Sequence, residues 1–231
     1  MKQKIKPNQP LVQIRYALSA IVFVALAGCG NQPPAPDWAL SAESAAQRAS
    51  QAYLQGQQRV EALQWQKARD AVASTGRPDL AARVELMRCA AQVASLQWDD
   101  CPAYQKLAQD AAPPEQAYAR YLQAQLLLED IAQLPEPQRN VAASIATSGA
   151  PALAKIKDPL SRLVAAGVML RAGSASPELL QLGVDTASEQ GWRRALMAWL
   201  LLQRKALEQA GDSSAAAAID RRLKLLESSK P

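Results

Sequence analysis

The last third of this chain writes its helix starts and stops in a regular grammar, and that grammar restricts it to an all-α fold. Asp158-Pro159 and Ser176-Pro177 each place a side chain able to cap backbone N–H groups directly before a proline. Proline's missing N–H costs nothing at the first helical position. The first of these segments runs toward Gly173 and the second toward Gly191, while Gly211-Asp212 closes a third and opens a fourth. Glycine is the favoured residue just past a helix end. Between these marks Trp192, Leu196, Trp199, Leu200 and Leu207 fall on one helical face, and Ile219, Leu223 and Leu226 on another. Connections of only a few residues imply antiparallel neighbours.

The preceding part follows the same rules less cleanly. Ala45, Ala49, Ala52, Tyr53, Val60, Leu63, Ala68 and Val72 form one apolar pattern that stops at Gly76-Arg77-Pro78. It is either one long helix or an antiparallel pair broken near Gly56. Asp79 is placed to cap the next helix, which carries Leu80, Val84, Met87, Ala91 and Ala94 on one stripe and Leu86, Ala90 and Val93 on a second. Apolar on two sides, that helix belongs at the centre. Asp99 and Asp100 are N-cap candidates ahead of Pro102, and Pro113-Pro114 opens a helix predicted to turn Tyr118, Tyr121, Leu122, Leu128 and Ile131 inward until Pro135. Residues 138–157, interrupted by Gly149-Ala150-Pro151, have the weakest periodicity and are predicted to be the most irregular.

At the N-terminus, Lys2, Lys4, Lys6 and Arg15 precede an apolar run from Tyr16 to Ala27, with no acid before it. These are the charged and apolar regions of an export signal, and twelve apolar residues fall short of the about 20 a spanning helix needs. The run ends in Leu26-Ala27-Gly28-Cys29, which resembles a bacterial lipobox. The resemblance implies cleavage before Cys29, a diacylglyceryl group on its sulfur and acylation of its freed amine. Residues 1–28 are then a lipoprotein signal peptide, residues 29–37 a lipidated tether stiffened by Pro33, Pro34 and Pro36, and residues 38–231 one helical domain. Several acyl chains hold a domain at a membrane far more firmly than one. Gly30 stands where Asp would favour inner-membrane retention, so the resemblance implies the outer membrane with the domain in the periplasm, the inner membrane being the alternative.

Removing that leader changes the charge and the cysteine count that matter. It holds four of the 26 Lys and Arg and none of the 21 Asp and Glu, so the remainder is nearly neutral despite the formal +5 of the whole chain. A nucleic-acid binder concentrates basic charge on its working face. No nucleic-acid partner is therefore expected, and Arg193-Arg194 and Arg221-Arg222 read as solvated helix faces. With Cys29 lipidated, Cys89 and Cys101 remain as a pair in an oxidising compartment. They read as a disulfide if the turn between them folds back far enough, and as two small buried thiols if it does not.

Pro78, Pro113 and Pro151 recur at intervals of 35 and 38 residues, close to one helix-turn-helix repeat. Ala68, Val72 and the Gly76-Arg77-Pro78 ending resemble part of a tetratricopeptide repeat, while the Trp-x-x-Leu-Gly-x-x-Tyr opening of that family is absent. Antiparallel helical hairpins are expected, either as a short solenoid similar to tetratricopeptide repeats or as an irregular bundle.

The chemistry the chain lacks narrows its function. It has no histidine, which removes Ser-His-Asp and Cys-His catalysis and the usual histidine-bearing zinc sites. It has no glycine-rich phosphate loop, dinucleotide fingerprint or nucleophile elbow. No catalytic residue, metal, nucleotide or other cofactor is expected, and the chain reads as a non-enzymatic scaffold or adaptor for another envelope protein. The alternative is a peptidoglycan-active or glycan-binding lipoprotein, for which Glu43-Ser44 or Glu227-Ser228 would have to occupy a cleft. A third is a plain spacer. Asp99-Asp100 and Glu129-Asp130 lack the pattern of a calcium loop and read as a cap and a polar helix face. Trp192 and Trp199, seven apart, read as core, whereas Trp38 and Trp98 are the candidates for exposed anchors.

Overall fold

The computed structural model describes residues 34–142 and 149–228. Leu26, Ala27, Gly28 and Cys29 lie outside the described residues, as do the signal region and part of the segment expected to be irregular. The compact domain begins at Pro36. Among the described residues its helices are α1 (Asp37–Gln55), α2 (Gln58–Ala73), α3 (Pro78–Ala94), α4 (Pro102–Gln105), α5 (Pro113–Leu122), α6 (Glu136–Ala142), α7 (Ala150–Leu153), α8 (Pro159–Arg171), α9 (Pro177–Glu189), α10 (Arg193–Gln209) and α11 (Ser213–Ser228). Short 3-10 turns occupy Ala108–Asp110 and Leu128–Gln133. Among the described residues there is no strand, and no helix is long and apolar enough to cross a membrane.

The first apolar pattern is a helical pair. Gly56 takes φ +85°, and its N–H donates to the Tyr53 carbonyl while that of Gln57 reaches back to Ala52. These two bonds close the end of α1 through a left-handed residue, a conformation that glycine adopts without penalty. Alanines line the α1–α2 contact. Ala42, Ala45, Ala46, Ala49 and Ala68 pack around the buried Trp65 and Val72, so the two backbones approach closely.

α3 is central, as its two apolar stripes predict: it packs on α1, α2, α5 and α8. The α3–α8 approach depends on Gly167, where a Cβ would overlap the Val93 carbonyl oxygen. From α8 onward successive helices pack as neighbours, and Asp158, Ser176 and Asp212 cap α8, α9 and α11 by accepting from the N–H of Ser161, Leu179 and Ala215.

The chain then closes on itself, because α10 packs on α1. Trp192 Nε1 donates to Gln51 Oε1 at 2.7 Å, and Trp199 Nε1 to the Ala94 carbonyl, the last of α3, at 2.9 Å. Arg194 donates to the Tyr53 carbonyl and lies 4.3 Å from the centre of the Tyr53 ring. In an open solenoid each repeat touches only its neighbours. The α1–α10 clasp belongs to the irregular-bundle form of the expected all-α fold.

Four local expectations are corrected. Asp79 does not cap α3: Arg77 occupies the N-cap position, and the Asp79 carboxylate binds its guanidinium. Asp99 and Asp100 do not cap α4, whose N-cap is Cys101. The helix expected to reach Ile131 ends at Leu122, with Ala124 at φ +58° and Leu128 the most exposed of the large apolar side chains at 87%. Arg193 and Arg194 are only partly solvated: Arg193 holds the Leu226 carbonyl and Arg194 holds α1.

Candidate functional site

The cysteine pair forms a disulfide. Cys89 on α3 and Cys101 before α4 stand 5.8 Å apart at Cα, well within the reach of the bond. The intervening turn folds back through Leu96 at φ +58° and Cys101 at φ +50°, and Asp99 Oδ1 accepts the Cys101 N–H at 3.0 Å. Asp99 lies beside both sulfurs. With the sulfurs bonded to each other, they are not available to a metal.

Among the described residues three acidic side chains are buried, and each faces an arginine. Arg69 on α2 grips both oxygens of Glu85 on α3, at 2.6 and 3.0 Å. Arg120 on α5 grips both oxygens of Asp130, which also accepts the Leu127 N–H at 3.1 Å. Asp130 is thus a buried clamp, not part of a polar helix face. The Arg120 hydrogen bonds hold its carboxyl below the usual aspartate range.

The third pair lies at a cleft. This cleft, of about 460 Å³, opens where α1, α3, α5, α6 and α8 converge. Leu86, Met87, Ala90, Tyr118, Leu134 and Leu160 supply apolar parts of its wall. Glu115, in the first turn of α5, is 5% exposed and lines the same cleft. Arg83 approaches it from α3 with Nε and a terminal nitrogen, both 2.7 Å from Oε1. Oε2 is buried without a hydrogen-bond partner, and so is Oε1 of Gln138 on α6, a residue only 2% exposed. Burial, together with the charge of Asp158, pushes the Tyr118 hydroxyl well above the usual tyrosine range, so it is protonated at neutral pH.

Met87, half-buried near the middle of α3, is shared by this cleft and two adjoining depressions. One is lined by Trp38, Ala42, Leu80 and Val84, the other by Gln47, Gln51, Val60 and Leu160. Three depressions therefore meet at Met87 along α3, the two toward Trp38 and Tyr118 largely apolar and the third lined mostly by polar side chains.

The acidic residues singled out in the sequence are elsewhere. Glu43 is exposed at the rim of the depression beside Trp38, and Glu227 is exposed near the end of α11. Trp98 is exposed, Trp38 is half-buried against the small core, and Trp192 and Trp199 are fully buried. Glu115 escaped notice because an acid in a first helical turn is an ordinary partner of the helix dipole. Its burial arises from α3 and α6, distant in sequence. Comparison with protein-family models, with curated proteins and with solved structures found no match to this chain.

Proposed function

We propose that the protein is a lipid-anchored envelope protein whose helical domain acts as a non-enzymatic scaffold or adaptor for another envelope protein. The single observation that carries this reading is the pair of largely apolar depressions that adjoin at Met87 on α3. A scaffold requires an exposed concave apolar surface held by rigid helices, whereas a spacer requires none. The lipobox-like Leu26-Ala27-Gly28-Cys29 supports the anchor, and the Pro-rich residues after it support a domain held clear of the lipid surface. Outer-membrane attachment with the domain in the periplasm is part of the same proposal.

The test places a photocrosslinking residue at Met87 in the full chain in its native cells. One reproducible envelope protein should be captured, and the crosslink should disappear when Leu160 is replaced by Glu. Capture that is indifferent to Leu160→Glu would overturn this reading.

A second reading, a peptidoglycan-active or glycan-binding protein, is favoured by one observation, the buried carboxylate of Glu115 in a cleft. Two facts weigh against glycan cleavage there. Arg83 occupies one oxygen, and among the described residues lining the cleft Glu115 is the only carboxylate, whereas glycosidases generally use a pair.

A further inference from the structure

Two residues that line this cleft each carry a buried hydrogen-bond acceptor without a partner. Glu115 Oε2 and Gln138 Oε1 are both buried, both lack a donor, and both belong to residues that line it. Leaving a buried acceptor unpaired costs stability, more for a charged group than for a neutral one. A folded domain that keeps two of them just beneath the lining of one cleft holds acceptors for something that brings donors. Arg83 does not fill this role, since both of its contacts converge on Oε1 and its side chain is 60% exposed.

The two orphan atoms also select the donor. A carboxylate oxygen makes its strongest hydrogen bond with a cationic N–H, about twice as strong as a neutral pair. A ligand carboxylate or phosphate placed against these two oxygens, away from Arg83, would meet only acceptors and be repelled. Leu86, Ala90, Tyr118, Leu134 and Leu160 call for an apolar body behind the donor, and about 460 Å³ is within the range of small-ligand clefts. Resting on the reading of the depressions at Met87 as the working surface, we infer that the cleft binds a primary ammonium carried on an apolar stem, the chemistry of a lysine side chain or of a free alkylamine. The ammonium donates to Glu115 Oε2 and Gln138 Oε1, and the stem lies against Met87 and Tyr118.

Met87 also supplies the readout. The full chain, methyl-labelled at methionine and held in detergent, is titrated with n-hexylamine, 1-hexanol and hexanoate. The Met87 methyl should shift and saturate with hexylamine, while Met169 and Met197, which do not line the cleft, report any general detergent effect. Hexanol should bind about tenfold more weakly, the equivalent of about 1.4 kcal/mol, and hexanoate more weakly still. Glu115→Gln should bring hexylamine down to the level of hexanol.

Gln138→Leu should weaken hexylamine at least about threefold without lowering Tm, because it deletes an unpaired buried acceptor. A purely structural glutamine would instead lower Tm. That variant keeps the test readable if Glu115→Gln fails to fold. A blocked Leu-Lys-Leu tripeptide, run beside its norleucine counterpart, identifies the source. Tighter binding of the lysine form assigns the site to a protein side chain, and binding of hexylamine alone assigns it to a free amine. Equal binding of the three hexyl probes, a preference for hexanoate, or no saturable Met87 shift with any amine overturns the inference. If that happens while the Met87 crosslink to a partner persists, the ligand chemistry fails and the scaffold reading stands; the reverse result separates them the other way.

Discussion

Gly183 and Trp199 occupy one another's space: a Cβ on Gly183 would overlap the six-membered ring of the Trp199 indole. The ring is fully buried, and its N–H is fixed on the Ala94 carbonyl, so it cannot swing aside without losing that bond. One glycine therefore sets how closely α9 and α10 pack, and through Trp199 it sets how α10 meets α3.

Gly183→Ala should accordingly destabilise the domain by about 2 kcal/mol or more, lowering Tm by about 4–8 °C for a domain of this size. Thermal unfolding of the variant checks this. In a Trp199→Leu background the same substitution should cost much less, because the clash is gone. Independent, additive effects would show that the two residues do not share the space.

The disulfide yields a second expectation. Joining residues twelve apart restricts the unfolded chain, and Cys89→Ser should lower stability by about 3 kcal/mol and Tm by about 6–12 °C under oxidising conditions. Wild-type protein unfolded in reductant should match the variant. An unchanged Tm in both would show that the bond adds nothing to the fold.

Acid should act through Asp130. Its folded carboxyl is held below the usual aspartate pKa by Arg120, so its contribution is fully present above the unfolded value, about 3.9, and is lost as pH falls through the lower folded value. Asp130→Asn should therefore lower Tm at pH 7, and the gap to wild type should close below about pH 4. A gap that stays constant from pH 7 to pH 2 would count against the clamp.

The anchor should matter for place and not for folding. Cys29→Ser is expected to leave the Tm of the domain unchanged, to release the protein from the membrane fraction, and to abolish the Met87 crosslink to its partner. A variant that fails to fold would refute the separation of anchor from domain.

Helices whose ends are set by neighbouring residues were legible in the chain. Asp158-Pro159, Ser176-Pro177 and Gly211-Asp212 mark α8, α9 and α11 because a cap bond spans only three residues and needs no distant partner. The two stripes of α3 told of its central position for the same local reason. Where an acid had a competing partner, the local reading failed. Asp79 turned to Arg77, and Asp130 turned back to Arg120 after the helix had already ended at Leu122, short of Leu128 and Ile131.

The sequence by itself determined the class of fold, the positions of its best-capped helices, the missing histidine chemistry and the cysteine pair, since each depends on composition or on residues a few positions apart. Tertiary structure alone decided that the helices close into a bundle, through Trp192 on Gln51 and Arg194 on Tyr53, across 141 positions of chain in each case. It also decided that Glu115, Gln138 and Met87 share one cleft. Burial of a polar atom is a property of the elements packed over it, and α1, α3, α5, α6 and α8 meet at that cleft only after the whole chain has folded.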